Sequence, residues 1–510
     1  MSRIRIETVA IAASRQWCVL SMVVLLATGV CFGKPAVSLS RKSGPPTTKF
    51  LVSGSGYKPY AEIDIYFDTK DEAKAVANGS GEFSKISIKA PRSALPGKHW
   101  VSAVQRPGDT GAQAPFDVNT NWEQFGFTSN GQRYNPYENV LNPSTVGDLE
   151  LLWSYATGGP VQSSPSVVNG VVYVGSADNN LYALNASTGA LLWTFATGGD
   201  GENFSSPAVA NGAVYIGESN INSNANNLAA LAAGTGALLW NYPEGTWMVS
   251  SPAIADEVVY ETTGGGGAFA LNASSGALLW NSGTGFQINA SPAVANGVFY
   301  TGSTVNAVFY AMDASTGVTL WTFEAGTDRD YAFASSPAVA NGLVYAASDD
   351  GNLYALNAST GAFVWDYPSG AGATPAVADG VVYVDGVYAL NASTGALLWN
   401  SPFGSLPAVA DGVVYSVGGN DVYALNASTG DLLWSYATGA GVTTRPAIAN
   451  GVVYIGSNDN NVYAFGLSGG ARAKVLAKQE AASHPPELRT LRPDFNLKVS
   501  EPDAMGDDTD

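Results

Sequence analysis

Cysteine, histidine and positive charge are all scarce in this sequence. It has 2 cysteines and 2 histidines in 510 residues, and 24 lysines and arginines stand against 42 acidic residues. Both cysteines, Cys18 and Cys31, lie near the N-terminus, so we expect no disulfide and no cysteine-ligated metal in the folded chain. The formal net charge of −18 disfavours a nucleic-acid partner, because phosphates are bound by a basic surface.

The shortage of reactive side chains is strictest between residues 151 and 468. This stretch has no histidine, cysteine or lysine, and its basic residues are Arg329 and Arg445. A Ser–His–Asp triad, a Cys–His pair and a Schiff-base lysine are therefore excluded there, and zinc and copper lack their usual ligands. Chemistry in this stretch depends on carboxylates, amides, tyrosines and two guanidinium groups.

The N-terminus has the pattern of an export signal. Arg3, Arg5 and Arg15 precede or open an apolar run from Trp17 to Val30, which is short for a membrane span. We predict a signal peptide over residues 1–33, with a retained N-terminal anchor as the alternative. Lipidation at Cys31 is disfavoured, since Val30 stands where a lipobox has a small residue. No later stretch is apolar enough to span a bilayer, so we expect a bacterial periplasmic, cell-surface or secreted protein.

Three further segments flank or precede the central stretch. Residues 34–118 alternate apolar and polar side chains, as in "AEIDIYFD" and "FSKISIKA", which predicts half-buried antiparallel strands. This pattern resembles the Ig-like β-sandwich modules of bacterial exported proteins. Residues 119–150 are a linker and lead-in segment. Residues 469–510 form a charged, proline-containing tail that we expect to be disordered.

The central stretch, residues 151–468, is a repeat. Each unit has a Pro-led strand ("SPAVA"), an Asn-Gly or Asp-Gly turn, a strand such as "VVYVGS", a polar loop, "LYALNA", an "STG" turn and a Trp-bearing strand such as "ALLWTF". Eight prolines begin units and eight tryptophans mark fourth strands, but the first Trp strand precedes every complete unit. We therefore predict an all-β, eight-bladed β-propeller in which the strand around Trp153 completes the last blade.

The repeat consensus, "GxVYxGSxDxxLYALNAxTGxLLW", resembles the PQQ-like (quinoprotein-like) propeller repeat over about 320 residues. In that family the Trp of each repeat docks adjacent blades, and the resemblance implies the same structural role for eight residues here. They are Trp153, Trp193, Trp240, Trp280, Trp321, Trp365, Trp399 and Trp434.

Eight-bladed quinoprotein dehydrogenases bind PQQ in the central funnel, with a vicinal cysteine pair, a calcium ion held by Glu, Asn and Asp, and an Asp base. The cysteine pair is absent here, and no segment matches the calcium-ligand or base motifs. We therefore predict no cofactor and no metal site, with PQQ and calcium as the alternative, because a shared fold does not establish a shared function.

A ligand is expected on the face of the propeller that carries the variable loops. The Asn-Gly and "STG" turns fall on the opposite face and hardly differ between blades, so they cannot bind a ligand in one specific orientation. Trp247 also lies outside the repeat register. The candidate residues are Asp200, Glu202, Asn203, Glu218, Trp247, Phe286, Gln287, Asp328, Arg329, Asp330 and Tyr331.

Two function classes remain open. The first is an exported, monomeric, non-catalytic propeller that presents its variable loop face to a protein or polysaccharide partner. The second is an enzyme, either a PQQ-dependent dehydrogenase or a carboxylate-based saccharide hydrolase or lyase.

Overall fold

Strands form where apolar and polar residues alternate between turns that contain glycine or proline. The computed structural model describes residues 34–107, 110–198, 205–218, 226–243, 250–265, 267–283, 290–304, 307–326, 332–370, 372–385, 387–469 and 471. In this part of the chain, no helix is both long enough and apolar enough to cross a membrane.

The N-terminal module consists of two β-sheets packed over one apolar core. Its strands are β1 (Ala36–Leu39), β2 (Ser43–Gly44), β3 (Lys49–Ser55), β4 (Glu62–Phe67), β5 (Lys70–Val76), β6 (Phe83–Lys89), β7 (Gly97–Gln105) and β8 (Thr110–Val118). The sheet orders are β1-β3-β6 and β2-β8-β7-β4-β5. The rings of Phe50 and Phe116 stack in the core with centroids 4.5 Å apart. The likeness to Ig modules stays a prediction.

A connecting segment links this module to the repeats. It contains β9 (Tyr134–Asn135), a 3-10 helix (Val146–Asp148) and β10 (Leu149–Ala156).

Eight sheets follow, each with strands ordered from the channel outward. Blade 1 has β11 (Ser166–Val168), β12 (Val171–Ser176), β13 (Asn180–Asn185) and β14 (Leu191–Ala196); blade 2 has β15 (Ala208–Ala210), β16 (Ala213–Glu218), β17 (Asn227–Ala232) and β18 (Leu238–Pro243). Blade 3 has β19 (Ala253–Ala255), β20 (Val258–Thr262), β21 (Gly267–Asn272) and β22 (Leu278–Gly283); blade 4 has β23 (Ala293–Ala295), β24 (Val298–Gly302), β25 (Val308–Asp313) and β26 (Thr319–Glu324). Blade 5 has β27 (Ala338–Ala340), β28 (Leu343–Ala347), β29 (Asn352–Asn357) and β30 (Phe363–Pro368); blade 6 has β31 (Ala376–Ala378), β32 (Val381–Val384), β33 (Tyr388–Asn391) and β34 (Leu397–Asn400). Blade 7 has β35 (Ser405–Ala410), β36 (Val413–Gly418), β37 (Asp421–Asn426) and β38 (Leu432–Ala437); blade 8 has β39 (Ala447–Ala449), β40 (Val452–Gly456) and β41 (Asn461–Leu467).

The ring closes through β10, as the offset between the unit-opening prolines and the fourth-strand tryptophans predicts. β10 pairs antiparallel with β41, from Leu149 opposite Leu467 to Ala156 opposite Asn461, and so supplies the fourth strand of blade 8. The prediction of an eight-bladed propeller closed by its two ends is confirmed. One feature was not predicted: β9 adds a fifth, parallel strand to blade 7.

Asn-Gly turns explain why the first two strands of a blade pair as a hairpin. In blade 1 Asn169 has φ 50° and Gly170 has φ 79°, and a two-residue type I′ turn needs positive φ at both positions. Blade 3 has Asp256 and Glu257 in these positions, with φ 48° and 64°. All these turns lie on one face of the propeller, which we call the turn face; the opposite face is the loop face.

Each blade tryptophan is hydrogen-bonded to the following blade. Its Nε1 donates to a backbone carbonyl there, which satisfies the one polar group of a mostly buried indole. The pairs, with N···O distances from 2.8 to 3.1 Å, are Trp153–Ala186, Trp193–Ala233, Trp240–Ala273, Trp280–Ala314, Trp321–Ala358, Trp365–Ala392, Trp399–Ala427 and, across the closure, Trp434–Leu149.

Residues 120–135, which we call the annular segment, run around the turn-face mouth of the central channel and contact every blade in order. In blades 1 to 7, one backbone N–H of each inner strand donates to this segment at 2.7–2.9 Å. The donors and acceptors are Val167 and Trp122, Val209 and Glu123, Ile254 and the Gln124 side chain, Val294 and Ser129, Val339 and Asn130, Val377 and Gln132, and Val409 and Arg133.

Blade 8 completes the circle through side chains. Asn135 Nδ2 donates to the Ile448 carbonyl at 2.8 Å, and Thr120 and Asn450 exchange two hydrogen bonds of 2.7 Å. The channel therefore has a floor on its turn face, built by residues outside the repeats.

Candidate ligand site in the central channel

Most of the sequence-predicted ligand residues lie outside the described residues. These are Asp200, Glu202, Asn203, Trp247, Phe286, Gln287, Asp328, Arg329, Asp330 and Tyr331. Glu218 is described: it ends β16 and is 7% exposed, and Asn227 Nδ2 donates to its Oε2 at 3.4 Å. Burial raises the pKa of Glu218 to about 7, although the Asn227 hydrogen bond acts in the opposite direction.

In blades 1 to 6, the residue before the inner-strand proline has a hydroxyl side chain. The backbone N–H of one blade donates to the hydroxyl oxygen of the next, so that neighbouring blades are joined at the axis. The bonds are Ser164 to Ser206, Ser206 to Ser251, Ser251 to Ser291 and Ser291 to Ser336, with distances of 2.9–3.0 Å.

Blades 7 and 8 break this hydroxyl ring. Blade 8 has Arg445 in the ring position, and its backbone N–H still donates to Ser164 Oγ at 2.9 Å. Blade 7 has Leu406, whose N–H donates instead to Asp385 Oδ1 at 2.8 Å. Asp385 stands where blade 1 has Gly175, so its carboxylate is an addition to the repeat.

Two guanidinium groups meet one aromatic ring above the channel floor. The Cζ atoms of Arg445 and Arg133 lie 4.7 and 5.1 Å from the centroid of the Phe125 ring, within the range of cation–π attraction. Arg133 is 1% exposed, and its Nη1 donates to the carbonyls of Gly131 and Pro375 at 2.5 and 2.7 Å. The Nε atoms of both arginines are buried and, within the described part of the chain, have no hydrogen-bond partner.

Burial dominates the electrostatics of this cluster. It lowers the pKa of Arg445 to about 10, with Asp385 acting in the opposite direction. Burial and then the charge of Arg445 lower the pKa of Arg133 well below its ordinary range, again opposed by Asp385. Burial raises the pKa of Asp385, although Arg445, the Leu406 N–H and Arg133 act to lower it. Two cations face one carboxylate, which leaves the cluster suited to an anionic ligand.

A metal ion has less support than an anion. Among the residues that the structure describes, no three His, Cys, Asp or Glu side chains lie close enough to hold one together.

Sequence analysis did not select Phe125, Arg133, Asp385 or Arg445 as site residues. Two of them carry a signal that repeat alignment reveals. Arg445 stands where six blades have a hydroxyl residue, and Asp385 places a carboxylate where the other blades have an uncharged residue, glycine in four of them. Phe125 and Arg133 lie in the segment interpreted as a linker, and nothing in its sequence places it at the axis.

The chain matches a family model over most of its repeat region. The model, which describes the outer membrane protein assembly factor BamB, matches residues 147–247, 224–384, 328–400 and 385–484, together more than half of the chain. Among solved structures, BamB from Moraxella catarrhalis is similar with a TM-score of 0.53 and 20% identity, over 62% of this chain and 99% of that one.

Other similar proteins are quinone-dependent enzymes. A segment of 77 residues, 15% of this chain and 10% of the relative, is 40% identical to the dehydrogenase subunit of an alcohol dehydrogenase (quinone) from Acetobacter aceti. A quinoprotein ethanol dehydrogenase from Pseudomonas aeruginosa is 33% identical over 124 residues, 21% of this chain and 19% of the relative. The quinohemoprotein alcohol dehydrogenase of Comamonas testosteroni has a TM-score of 0.61 and 18% identity, over 69% of this chain and 81% of that one.

These relatives contradict the prediction that no cofactor is involved, because their names identify them as quinone-dependent dehydrogenases. That prediction relied on missing cysteine and carboxylate motifs, and their absence does not bear on two buried guanidinium groups. The matched segments span only 10% and 19% of the two curated relatives, so the likeness to them is one of repeats and fold. The coverage of the repeat region by the family model, together with the eight closed blades, shows that the chain belongs to the family of PQQ-like propellers that includes BamB.

Proposed function

We propose that this chain is an exported oxidoreductase that holds a quinone cofactor in its central channel, toward the loop face, and oxidises small hydroxylated molecules. The observation that carries the proposal is the pair of guanidinium groups over Phe125, that of Arg133 buried and that of Arg445 partly buried, with the carboxylate of Asp385 beside them. The relatives named as quinone alcohol dehydrogenases support it.

The residues present fit the chemistry of pyrroloquinoline quinone, a planar aromatic quinone with three carboxylates. Within the described part of the chain, the Nε donors of Arg445 and Arg133 have no partner and suit carboxylate oxygens. A buried donor without a partner costs free energy that an anionic ligand recovers. When bound, such a quinone supplies a two-electron acceptor for the carbon that bears the hydroxyl group. Among the described residues, no group of three or more His, Cys, Asp or Glu side chains is placed to hold a calcium ion.

Asp385 is the group proposed to accept the hydroxyl proton of the substrate. The Leu406 N–H fixes one of its oxygens, Oδ1, so the carboxylate has a defined orientation. Because burial raises its pKa, Asp385 is a stronger base than an exposed carboxylate. Arg445 and Arg133 act against that rise in the pKa of Asp385.

The annular segment determines the direction from which a ligand reaches this site. It occupies the turn-face mouth through hydrogen bonds to all eight inner strands, so substrate and cofactor are proposed to arrive from the loop face. The variable loops on that face then select the substrate. We propose that the protein acts as a monomer in the periplasm, at the cell surface or outside the cell.

Reconstitution tests the proposal. Purified protein is incubated with pyrroloquinoline quinone, with and without calcium, and freed of excess ligand; absorbance and dye reduction with alcohols and aldoses are then measured. We expect bound quinone and dye reduction. Losing a charged hydrogen bond of about 1.5–3 kcal/mol in Arg445→Gln should weaken quinone binding by about 10- to 150-fold.

The matched control is Arg41→Gln, which removes an exposed arginine of the N-terminal module and should leave binding unchanged. If the wild-type protein retains no quinone and reduces no dye, the oxidoreductase proposal is rejected.

A second candidate is a non-catalytic propeller that presents its loop face to a protein or glycan. The observation that favours it is the match to the BamB family model and to nearly the whole of one BamB structure. Retention of a protein or polysaccharide partner by the wild-type chain, without bound quinone, would support this candidate over the first.

A further inference from the structure

The Phe125 ring is partly exposed in the channel, whereas its aromatic neighbours in the annular segment are buried. Trp122 and Phe127 are 2% and 6% exposed, and their rings pack edge to face with centroids 5.2 Å apart. Phe127 also packs against Tyr137, at 6.4 Å. The core interactions of this segment are therefore made by Trp122 and Phe127, and the position of Phe125 needs another explanation.

A tight turn holds Phe125 in place. The Phe127 N–H donates to the Gln124 carbonyl at 2.8 Å, and Phe127 has φ 71°. The Gln124 side chain exchanges two hydrogen bonds with the Ile254 backbone, of 2.8 and 3.0 Å, which anchors the turn on blade 3. Phe125 lies at the tip of a turn that is fixed at its first residue.

The same turn is connected to Arg133. The Arg133 N–H donates to the Gly126 carbonyl at 2.9 Å, so the residue after Phe125 fixes the backbone that carries the buried guanidinium. A Cβ added to Gly126 would lie 2.5 Å from the Gly131 Cα, so glycine is required where the segment passes this close to itself. Phe125 and Arg133 thus belong to one pre-formed unit.

Arg445 comes from blade 8 and meets this unit only at the axis. Its guanidinium and that of Arg133 repel each other, yet both lie within 5.1 Å of the Phe125 ring centroid. The electron-rich face of an aromatic ring attracts a cation more strongly where water is excluded. The ring can therefore keep two like charges together, while their Nε donors have no hydrogen-bond partner among the residues that the structure describes.

We propose that Phe125 is a positioning residue of the channel site: it holds the guanidinium groups of Arg445 and Arg133 in the geometry that binds a planar polycarboxylate ligand. The site is thus completed by a segment outside the propeller repeats. This inference rests on the proposed function only for the location of the site and the anionic nature of the ligand.

The test uses the full chain and a redox-inert probe, benzene-1,3,5-tricarboxylate, with binding measured by calorimetry. Phe125→Leu and Phe125→Met remove the ring and should weaken binding by about tenfold, the equivalent of about 1.4 kcal/mol of cation–π attraction, with little change in melting temperature. Phe125→Trp keeps an aromatic face and should restore the affinity.

The matched control is Phe127→Leu, which alters the same turn at a buried position. It should lower the melting temperature and leave the probe affinity within twofold, because Phe127 does not face the guanidinium groups. Equal loss of affinity in the Phe125 and Phe127 variants would overturn the inference, and so would wild-type affinity in Phe125→Leu or absence of probe binding by the wild-type protein.

Dye reduction with pyrroloquinoline quinone separates this inference from the proposed function. Probe binding that depends on Phe125, without dye reduction, supports the positioning role and rejects the oxidoreductase. Dye reduction together with unchanged binding in Phe125→Leu and Phe125→Met supports the enzyme and rejects the positioning role.

Discussion

The glycine of each "STG" turn packs against the tryptophan of the preceding blade, and a pair of glycine variants can measure this contact. Gly236 has φ 70°, and a Cβ added there would lie 2.6 Å from Cε3 of Trp193. Gly212, in the Asn-Gly turn of the same blade, has φ 78° and no atom within 4 Å of an added Cβ. The two positions share the backbone conformation and differ in the contact.

Gly212→Ala should cost about 1–2 kcal/mol, the penalty for placing an L side chain in the left-handed region. Gly236→Ala should cost the same amount plus about 1–3 kcal/mol, because the Trp193 ring, which a 2.9 Å hydrogen bond to the Ala233 carbonyl holds in place, must move. The difference between the two variants therefore isolates the packing of one blade on the next.

Urea unfolding followed by tryptophan fluorescence and circular dichroism measures both variants. We expect a lower midpoint for Gly236→Ala than for Gly212→Ala, and a change in folded-state tryptophan emission only for Gly236→Ala. Equal midpoints would refute the conclusion that the turn glycine is selected by the neighbouring indole and would leave positive φ as the whole reason for it. The same contact recurs at Gly189, Gly276, Gly317, Gly361, Gly395 and Gly430.

Two further predictions concern the N-terminal module and the contact between the annular segment and blade 8. Burial alone would lower the pKa of His99, but a 2.6 Å contact with Asp68, the charge of Asp68 and the Leu95 carbonyl outweigh it and raise the pKa. The protonated His99 side chain therefore stabilises the fold fully below its unfolded pKa of about 6.5, and this stabilisation is lost as pH rises through the folded pKa. His99→Gln should lower the melting temperature at pH 6, and the difference from the wild-type protein should narrow by pH 9. A difference that stays constant with pH would contradict this prediction. Thr120→Val removes the hydroxyl that accepts the Asn450 N–H, and it should destabilise the attachment of the annular segment by about 1–3 kcal/mol. Hydrogen exchange across residues 120–135 should then be faster. Unchanged exchange there would show that this pair does not hold the annular segment.

The number of blades and the way the ring closes could be predicted from the sequence. Their causes are local and repeated: Asn169 and Gly170 form a hairpin turn wherever their equivalents occur, and the period-two pattern assigns each strand its faces. Closure followed from the offset of Trp153 from the first complete unit, since an open ring would leave two apolar sheet edges.

The candidate site could not be predicted in the same way. Arg445 and Asp385 introduce charges at two repeat positions that are uncharged in the other blades, but this does not indicate that the two side chains meet. Phe125 and Arg133 lie in a segment whose sequence has the features of a linker. Its path around the axis depends on hydrogen bonds to eight inner strands that are brought together only when the ring has closed.

The sequence by itself thus determined the repeating architecture, because turn conformation and strand burial depend on residues a few positions apart. Only the tertiary structure decided what occupies the axis, because Phe125, Arg133, Asp385 and Arg445 come from three distant parts of the chain. Their meeting depends on long-range hydrogen bonds that are backbone-to-backbone in six of the eight blades. Any residue with a free N–H can make such a bond, so these six leave no mark on side-chain identity.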